Sequence, residues 1–172
     1  MKTKRLVLGA VLVAAALALS YTERLIPLQL LVPLPGVKLG LANIVTMLAL
    51  YFLDTKQGFT ILVLRCVLGS VFGGGVSGLA MSLTGGVLAY GVMALAKKLP
   101  LFSVYGVSIL GAAAHNVGQV LAASILMGSV YTFYYLPFLL LTGLVTGMVT
   151  GTISSFTFRA LRAANRNANT SD

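Results

Sequence analysis

Residues 104–127 read VYGVSILGAAAHNVGQVLAASILM and carry no charge. A bilayer core about 30 Å thick is crossed by a helix of about 20 apolar residues. In hydrocarbon a single segment closes its own backbone hydrogen bonds only as a helix. This stretch therefore reads as a transmembrane helix. Five similar stretches surround it, at Leu6–Tyr21, Leu39–Leu53, Phe59–Val76, Leu79–Ala96 and Tyr135–Phe158. The second is short and draws on the apolar loop before it to fill the bilayer. The expected fold is an all-α membrane protein, a six-transmembrane-helix bundle in one domain over residues 1–163. Residues 164–172, rich in Asn, Thr and Ser, read as a disordered cytoplasmic tail.

The rest of the composition agrees. Hydrophobic residues make up 58% of the chain and charged residues 9%, against roughly a quarter charged in a soluble domain. Only Glu23, Asp54 and Asp172 are acidic. Chemistry built on paired carboxylates, or on metals held by them, is nearly excluded. The net charge of +9 is a topology signal rather than a nucleic-acid patch, because the basic residues cluster at segment ends. With the N-terminus inside, Lys2, Lys4, Arg5, Lys56, Lys97, Lys98, Arg159, Arg162 and Arg166 all fall on the cytoplasmic side. Only Arg24 and Lys38 fall outside, and an even number of spans returns the C-terminus to the cytoplasm. The protein is thus expected in the cell membrane as a multi-pass chain. The N-terminal stretch resembles a secretory signal, with an Ala-x-Ala site at Ala16–Ala18, but only Thr22, Glu23 and Arg24 separate it from further apolar sequence. It reads as an uncleaved first span.

Three segments carry patterns beyond hydropathy. Residues 22–38 hold Pro27, Pro33 and Pro35 among Leu, Ile and Val, and end Pro35-Gly36-Val37-Lys38. Proline blocks regular helix, so the segment reads as a lid folded over the bundle mouth, or as an interfacial segment among lipid headgroups. Ala10, Ala14 and Ala18 share one face of the first helix. Small residues there permit close approach of another helix, within this bundle or from a partner, or simply face lipid. Thr142-Gly143, Thr146-Gly147 and Thr150-Gly151 repeat every four residues in the last span, which reads as close packing inside the molecule, with an oligomer face as the alternative.

The candidate ligand groups are polar residues where polarity is costly. His115, Asn116 and Gln119 cover an arc of about 100° on the fifth helix. They form either a binding surface or interhelical hydrogen bonds. A single His and no carboxylate inside a span argue against a metal. Lys38 and Asn43 lie at the outer end of their helix. Arg65 is the one ion deep in a span, with no acid in any span and Asp54 about 16 Å away along the helix. It is left to serve an anion, bond carbonyls or snorkel, and ranks below the others. The Gly73-Gly74-Gly75 and Thr84-Gly85-Gly86 steps thin their helices; they serve close packing or line a cavity. These groups converge beneath the expected lid, in a site that suits a compact polar or anionic molecule with an apolar body.

The stretch Pro35-Gly36-Val37-Lys38-Leu39-Gly40-Leu41-Ala42-Asn43-Ile44-Val45 strongly resembles the Gx transporter family, also called heptaprenyl diphosphate synthase component I. The Arg65 region and Ala114-His115-Asn116 carry the same likeness. The family is similar in size and layout to the S components of energy-coupling factor (ECF) transporters. The resemblance implies a small-molecule site in the outer half of the bundle, where the residues themselves offer Lys38, Asn43, His115, Asn116 and Gln119, with Arg65 ranked below them. It also implies docking through Ala10, Ala14 and Ala18 to a transmembrane subunit that bears an ATPase pair.

The synthase name meets an obstacle in the residues. Prenyl elongation holds magnesium and diphosphate with clustered aspartates, and the chain has no aspartate pair. It is not expected to be an enzyme by itself. One Cys and one His cannot hold an iron–sulfur cluster or a bis-His haem, and no cofactor is expected. The main reading is an importer's substrate-binding component without its own Walker motif. An accessory subunit of an isoprenoid or quinone pathway, or of flavin- or quinone-linked electron export, is the alternative, and a purely structural membrane subunit is a third.

Overall fold

The computed structural model describes residues 2–23, 25, 26, 30 and 38–168; side chains at 2, 4, 162 and 164–168 are not included. Six α-helices follow one another: α1 (Lys2–Glu23), α2 (Asn43–Phe52), α3 (Thr55–Gly69), α4 (Gly75–Lys98), α5 (Val104–Met127) and α6 (Leu136–Ala168). There is no strand among the described residues. Among the described residues, four helical runs are long and apolar enough to cross a membrane: Arg5–Glu23, Thr55–Lys98, Val104–Met127 and Val130–Leu161. The fifth span falls where the sequence puts it. The second does not, for α2 has only 10 residues and begins four residues later than expected. α6 runs on to Ala168, well past Phe158, so the first residues of the expected tail are helical and its last four lie outside the described residues.

The Thr55–Lys98 run is folded on itself. Tyr90 Oη donates to the Thr55 carbonyl at 2.6 Å, a Cβ on Gly86 would meet the Leu62 side chain at 2.7 Å, and Cys66 Sγ donates to the Ser82 carbonyl at 3.4 Å. These pairs step in opposite directions along the chain, so α3 and α4 form an antiparallel hairpin. The turn lies at Phe72–Gly75, where Gly73 has φ +107° and Gly75 φ +62°. Only glycine adopts such values without steric penalty, and this is what the glycine run supplies.

α1 runs alongside α3 in the same direction, with Gly9 against Ile61 and Gly69 against Leu17. The helices therefore alternate in direction. One end of the bundle collects Arg5, Asp54 and Lys97. Arg5 stands 3.8 Å from Asp54, Asp54 caps α3 by accepting from the Gln57 amide at 2.8 Å, and Lys97 Nζ donates to the Leu50 carbonyl at 2.7 Å. The opposite end collects Glu23, Lys38 and Asn43.

The inner seam of α4, α5 and α6 is made of small residues. A Cβ on Gly118 would lie 2.6 Å from the Gly85 Cα and 2.8 Å from the Thr84 carbonyl oxygen, so α4 and α5 touch backbone to backbone. On α6, Gly143 faces Asn116 and Ala112, Gly147 faces Ile109, and Gly151 faces Tyr105 and Ser108. The threonine–glycine repeat is thus packing within the molecule. Lipid offers no hydrophobic drive for helices to associate, and close van der Waals approach supplies it instead.

Candidate functional site

At the end opposite the Arg5–Asp54 pair, polar side chains from five parts of the chain meet. Gln119 of α5 binds the backbone of Lys38 twice: the Lys38 amide donates to Gln119 Oε1 at 2.7 Å, and Gln119 Nε2 donates to the Lys38 carbonyl at 2.8 Å. Lys38 Nζ donates to Ser82 Oγ on α4 at 2.9 Å. Arg65 Nη2 on α3 donates to Asn43 Oδ1 on α2 at 3.0 Å. Gly40, at φ +84°, turns the chain between Lys38 and α2. A Cβ there would meet Asn43 Nδ2 at 2.9 Å and His115 Cδ2 at 3.0 Å, so the turn needs glycine for space as well as for conformation.

Four of these residues are almost fully buried, and Lys38 is partly exposed. Relative exposures are 4% for Asn43, 6% for Arg65, 3% for His115 and 1% for Gln119, in a region where an unsatisfied polar group is expensive. Even so, Asn43 Nδ2, Arg65 Nε and both His115 ring nitrogens lack a hydrogen-bond partner. The Nδ1 edge of His115 lies against Gly85.

Five of the six expected ligand residues therefore come together: Lys38, Asn43, Arg65, His115 and Gln119. The sixth does not. Asn116 Nδ2 donates to the Leu139 carbonyl on α6 and fits against Gly143. Residues 115 and 119 are one turn apart and share a face, while 116 is rotated by about 100°. That rotation turns Asn116 into an interhelical hydrogen bond. Arg65 needs the opposite correction. It was ranked below the others, yet its bond to Asn43 puts it among them.

Glu23 was missed altogether. It is 5% exposed, it accepts a hydrogen bond from the Leu41 amide, and the charges of Lys38 and Arg65 act on its carboxylate. It was read as part of a short polar loop, whereas α1 continues through it. Its rarity was the available signal, as one of three acids in the chain.

Ala10, Ala14 and Ala18 are exposed. The inward stripe of α1 is Val13, Ala16, Ser20 and Glu23, so the alanines do not pack within the bundle. Ala10 and Ala14 line an apolar groove of about 950 Å³ between α1 and α3, with Arg5 and Gln57 also on its walls. The lid expected at 22–38 falls largely on residues 24, 27–29 and 31–37, outside the described residues.

Residues 12–157 match the family described as heptaprenyl diphosphate synthase component I. No curated protein and no solved structure is matched. The match spans most of the chain, and the protein belongs to the heptaprenyl diphosphate synthase component I family.

Proposed function

We propose that this member of the family is the substrate-binding component of a multi-subunit membrane importer of the ECF type. It binds a small molecule among Lys38, Asn43, Arg65, His115 and Gln119, and docks through Ala10, Ala14 and Ala18 to a transmembrane subunit that bears an ATPase pair. One observation carries the reading. In a chain with 58% hydrophobic residues, five polar side chains, from the segment before α2 and from α2, α3 and α5, converge at one end of the bundle, three of them with unmet hydrogen-bonding capacity. Asn43, Arg65 and His115 gather four such atoms in one place, where most buried polar groups find a partner, as Asn116 does.

In this reading all six helices cross the cell membrane, α2 with help from the segment before it. Both termini are cytoplasmic, following the basic residues gathered at the Arg5 and Lys97 end. The site then opens to the outside. The protein itself catalyses no reaction, and the partner ATPases supply the energy. The family's description supports a second reading, in which the chain is an accessory membrane subunit of a prenyl-chain, quinone or electron-export system. The absence of an aspartate pair makes the partner the catalyst in that case too.

Affinity purification of the full chain from its native membrane separates the two readings. Recovery of an ATPase pair with a transmembrane subunit, lost in Ala14→Leu and Ala18→Leu, is the expected result. Recovery of a prenyl synthase or a redox enzyme instead overturns the importer. Cysteines introduced at position 36 should be labelled from outside intact cells and those at position 165 should not; the reverse overturns the topology.

A further inference from the structure

Helices α1 and α3 leave an open groove of about 950 Å³ between them. Where they approach each other at glycines, they do so through side-chain tips: a Cβ on Gly9 would lie 4.0 Å from Ile61 Cδ1, and one on Gly69 would lie 3.8 Å from Leu17 Cδ2. By contrast, a Cβ on Gly118 would lie 2.6 Å from the Gly85 Cα, and the α4–α5 seam is closed by backbone.

The groove is polar at one end and apolar along the rest. Arg5 of α1 and Gln57 of α3 stand on its walls at the end of the bundle that holds Asp54. Inward from them α1 contributes Leu6, Ala10, Ala14 and Leu17, and α3 contributes Ile61 and Leu64. Each set recurs at intervals of three or four residues, so each forms one stripe along its helix. Thr60, the other polar residue on the wall, donates its hydroxyl to the Lys56 carbonyl of its own helix at 3.0 Å.

Length narrows the occupant. The groove runs from Arg5 to Leu17 on α1, about 18 Å at 1.5 Å per residue. That is close to one leaflet, half of a hydrocarbon core about 30 Å thick. A membrane-spanning protein helix laid along α1 would need its whole apolar run, Arg5–Glu23, about 27 Å. The walls stop short of Ala18, so the groove is only part of the alanine face.

Charge narrows it further. Arg5 stands 3.8 Å from Asp54, with both side chains more than half exposed. An exposed pair of this kind is weak, and it leaves most of the guanidinium donors free to act. Lys56 lies exposed on the first turn of α3, and α1 opens with Lys2 and Lys4. The starts of the two helices thus carry Lys2, Lys4, Arg5 and Lys56 beside Asp54. Glu23 is at the far end, so these cations outnumber the acids wherever Asp172 lies. Basic clusters at a membrane surface attract anionic lipids.

We propose that this groove seats one anionic phospholipid, with its phosphate against Arg5 and one acyl chain laid past Ala10 and Ala14 to Leu17. The proposal stands on the membrane-spanning reading of α1 and α3, and not on the importer role. Ala10 and Ala14 also belong to the face assigned above to the transmembrane subunit, so the chain purified alone is the form that carries the lipid. A zwitterionic lipid offers the same chain and phosphate but no net charge to answer the basic end, and it binds more weakly.

Native mass spectrometry of the purified full chain, released from detergent and titrated with dioleoyl phosphatidylglycerol or dioleoyl phosphatidylcholine, tests the seat. The two lipids share their chains and differ in headgroup charge. The expected result is a single saturable adduct, roughly tenfold tighter for phosphatidylglycerol. Arg5→Gln should shrink that preference. Ala10→Leu, which fills the groove and leaves the charges alone, should weaken both lipids roughly tenfold or more. Leu141→Phe, at a position of α6 that is 63% exposed, should change neither. If Arg5→Gln does not insert, Ala10→Leu decides the result by itself. Equal affinity for the two lipids, or an unchanged preference in Arg5→Gln, overturns the headgroup seat. A ladder of adducts without saturation, or an adduct unchanged in Ala10→Leu, is ordinary boundary lipid and overturns the groove. The importer role is read from the partners recovered with the chain, so either conclusion can fail alone.

Discussion

Two neighbouring faces of α5 put the same kind of residue to opposite uses. On one, Asn116 donates to the Leu139 carbonyl and Gly118 lets the α4 backbone approach. On the other, His115 and Gln119 look toward a cluster in which Asn43, Arg65 and His115 keep unmet hydrogen-bonding atoms. Residue type and burial hardly differ between the faces, since Asn116 is 2% exposed and Gln119 1%. What differs is the partner: Asn116 bonds a carbonyl of the next helix, while Gln119 bonds the backbone of Lys38 and faces Asn43, Arg65 and His115, which keep unmet atoms.

The strongest way to break the contrast is to spoil the scaffold. Gly118→Val places a side chain against the Gly85 backbone, which cannot rotate away. It should cost about 3 kcal/mol or more, at the upper end of overpacking penalties, and it should abolish the folded, monodisperse protein in detergent. Retention of wild-type thermal stability would mean that α4 and α5 do not meet at these glycines.

Gln119→Ala removes both bonds from the Lys38 backbone to α5. At about 1 kcal/mol for each net hydrogen bond, it should lower stability by roughly 2 kcal/mol and release the segment before α2, raising the labelling rate of a cysteine placed at position 38. Asn116→Ala should be milder, at about 1 kcal/mol, because the Leu139 carbonyl keeps its bond from Thr142 Oγ1 at 2.9 Å. It should leave ligand binding unchanged. Weaker binding in Asn116→Ala with unchanged stability would erase the distinction between the two faces. The smallest effect on folding belongs to Ala14→Leu, an exposed position whose stability should stay within about 0.5 kcal/mol of wild type even as partner recovery is lost.

Much of this architecture could be read from the chain. Helix α5 was legible to the residue because Ser103, whose hydroxyl caps its start, and Gly128, left-handed after its end, bracket an uncharged run. The α6 glycines were legible as packing because their spacing equals one helical turn. Less legible was anything decided by rotation or by distant contacts. Asn116 and Gln119 cannot be told apart without knowing which helix lies on each side of α5. The burial of Glu23 depends on the chain returning 18 residues later to offer the Leu41 amide, a contact no local pattern announces. Arg65 was underrated for the same reason, since its partner Asn43 lies across a helix boundary.

Helix α1 also has a mechanical consequence. It has 22 residues, about 33 Å at 1.5 Å per residue, and among the described residues its helix contacts are with α2 and α3. Its exposed alanines lie along the shaft, and Glu23 sits at the tip, joined to Leu41. A tilt of only about 5° around the Arg5 end sweeps that tip through about 2 Å, as the helical rise sets the arm length. That is enough to part a hydrogen bond. Whatever grips the shaft of α1 thereby holds a lever whose short stroke ends inside the polar cluster.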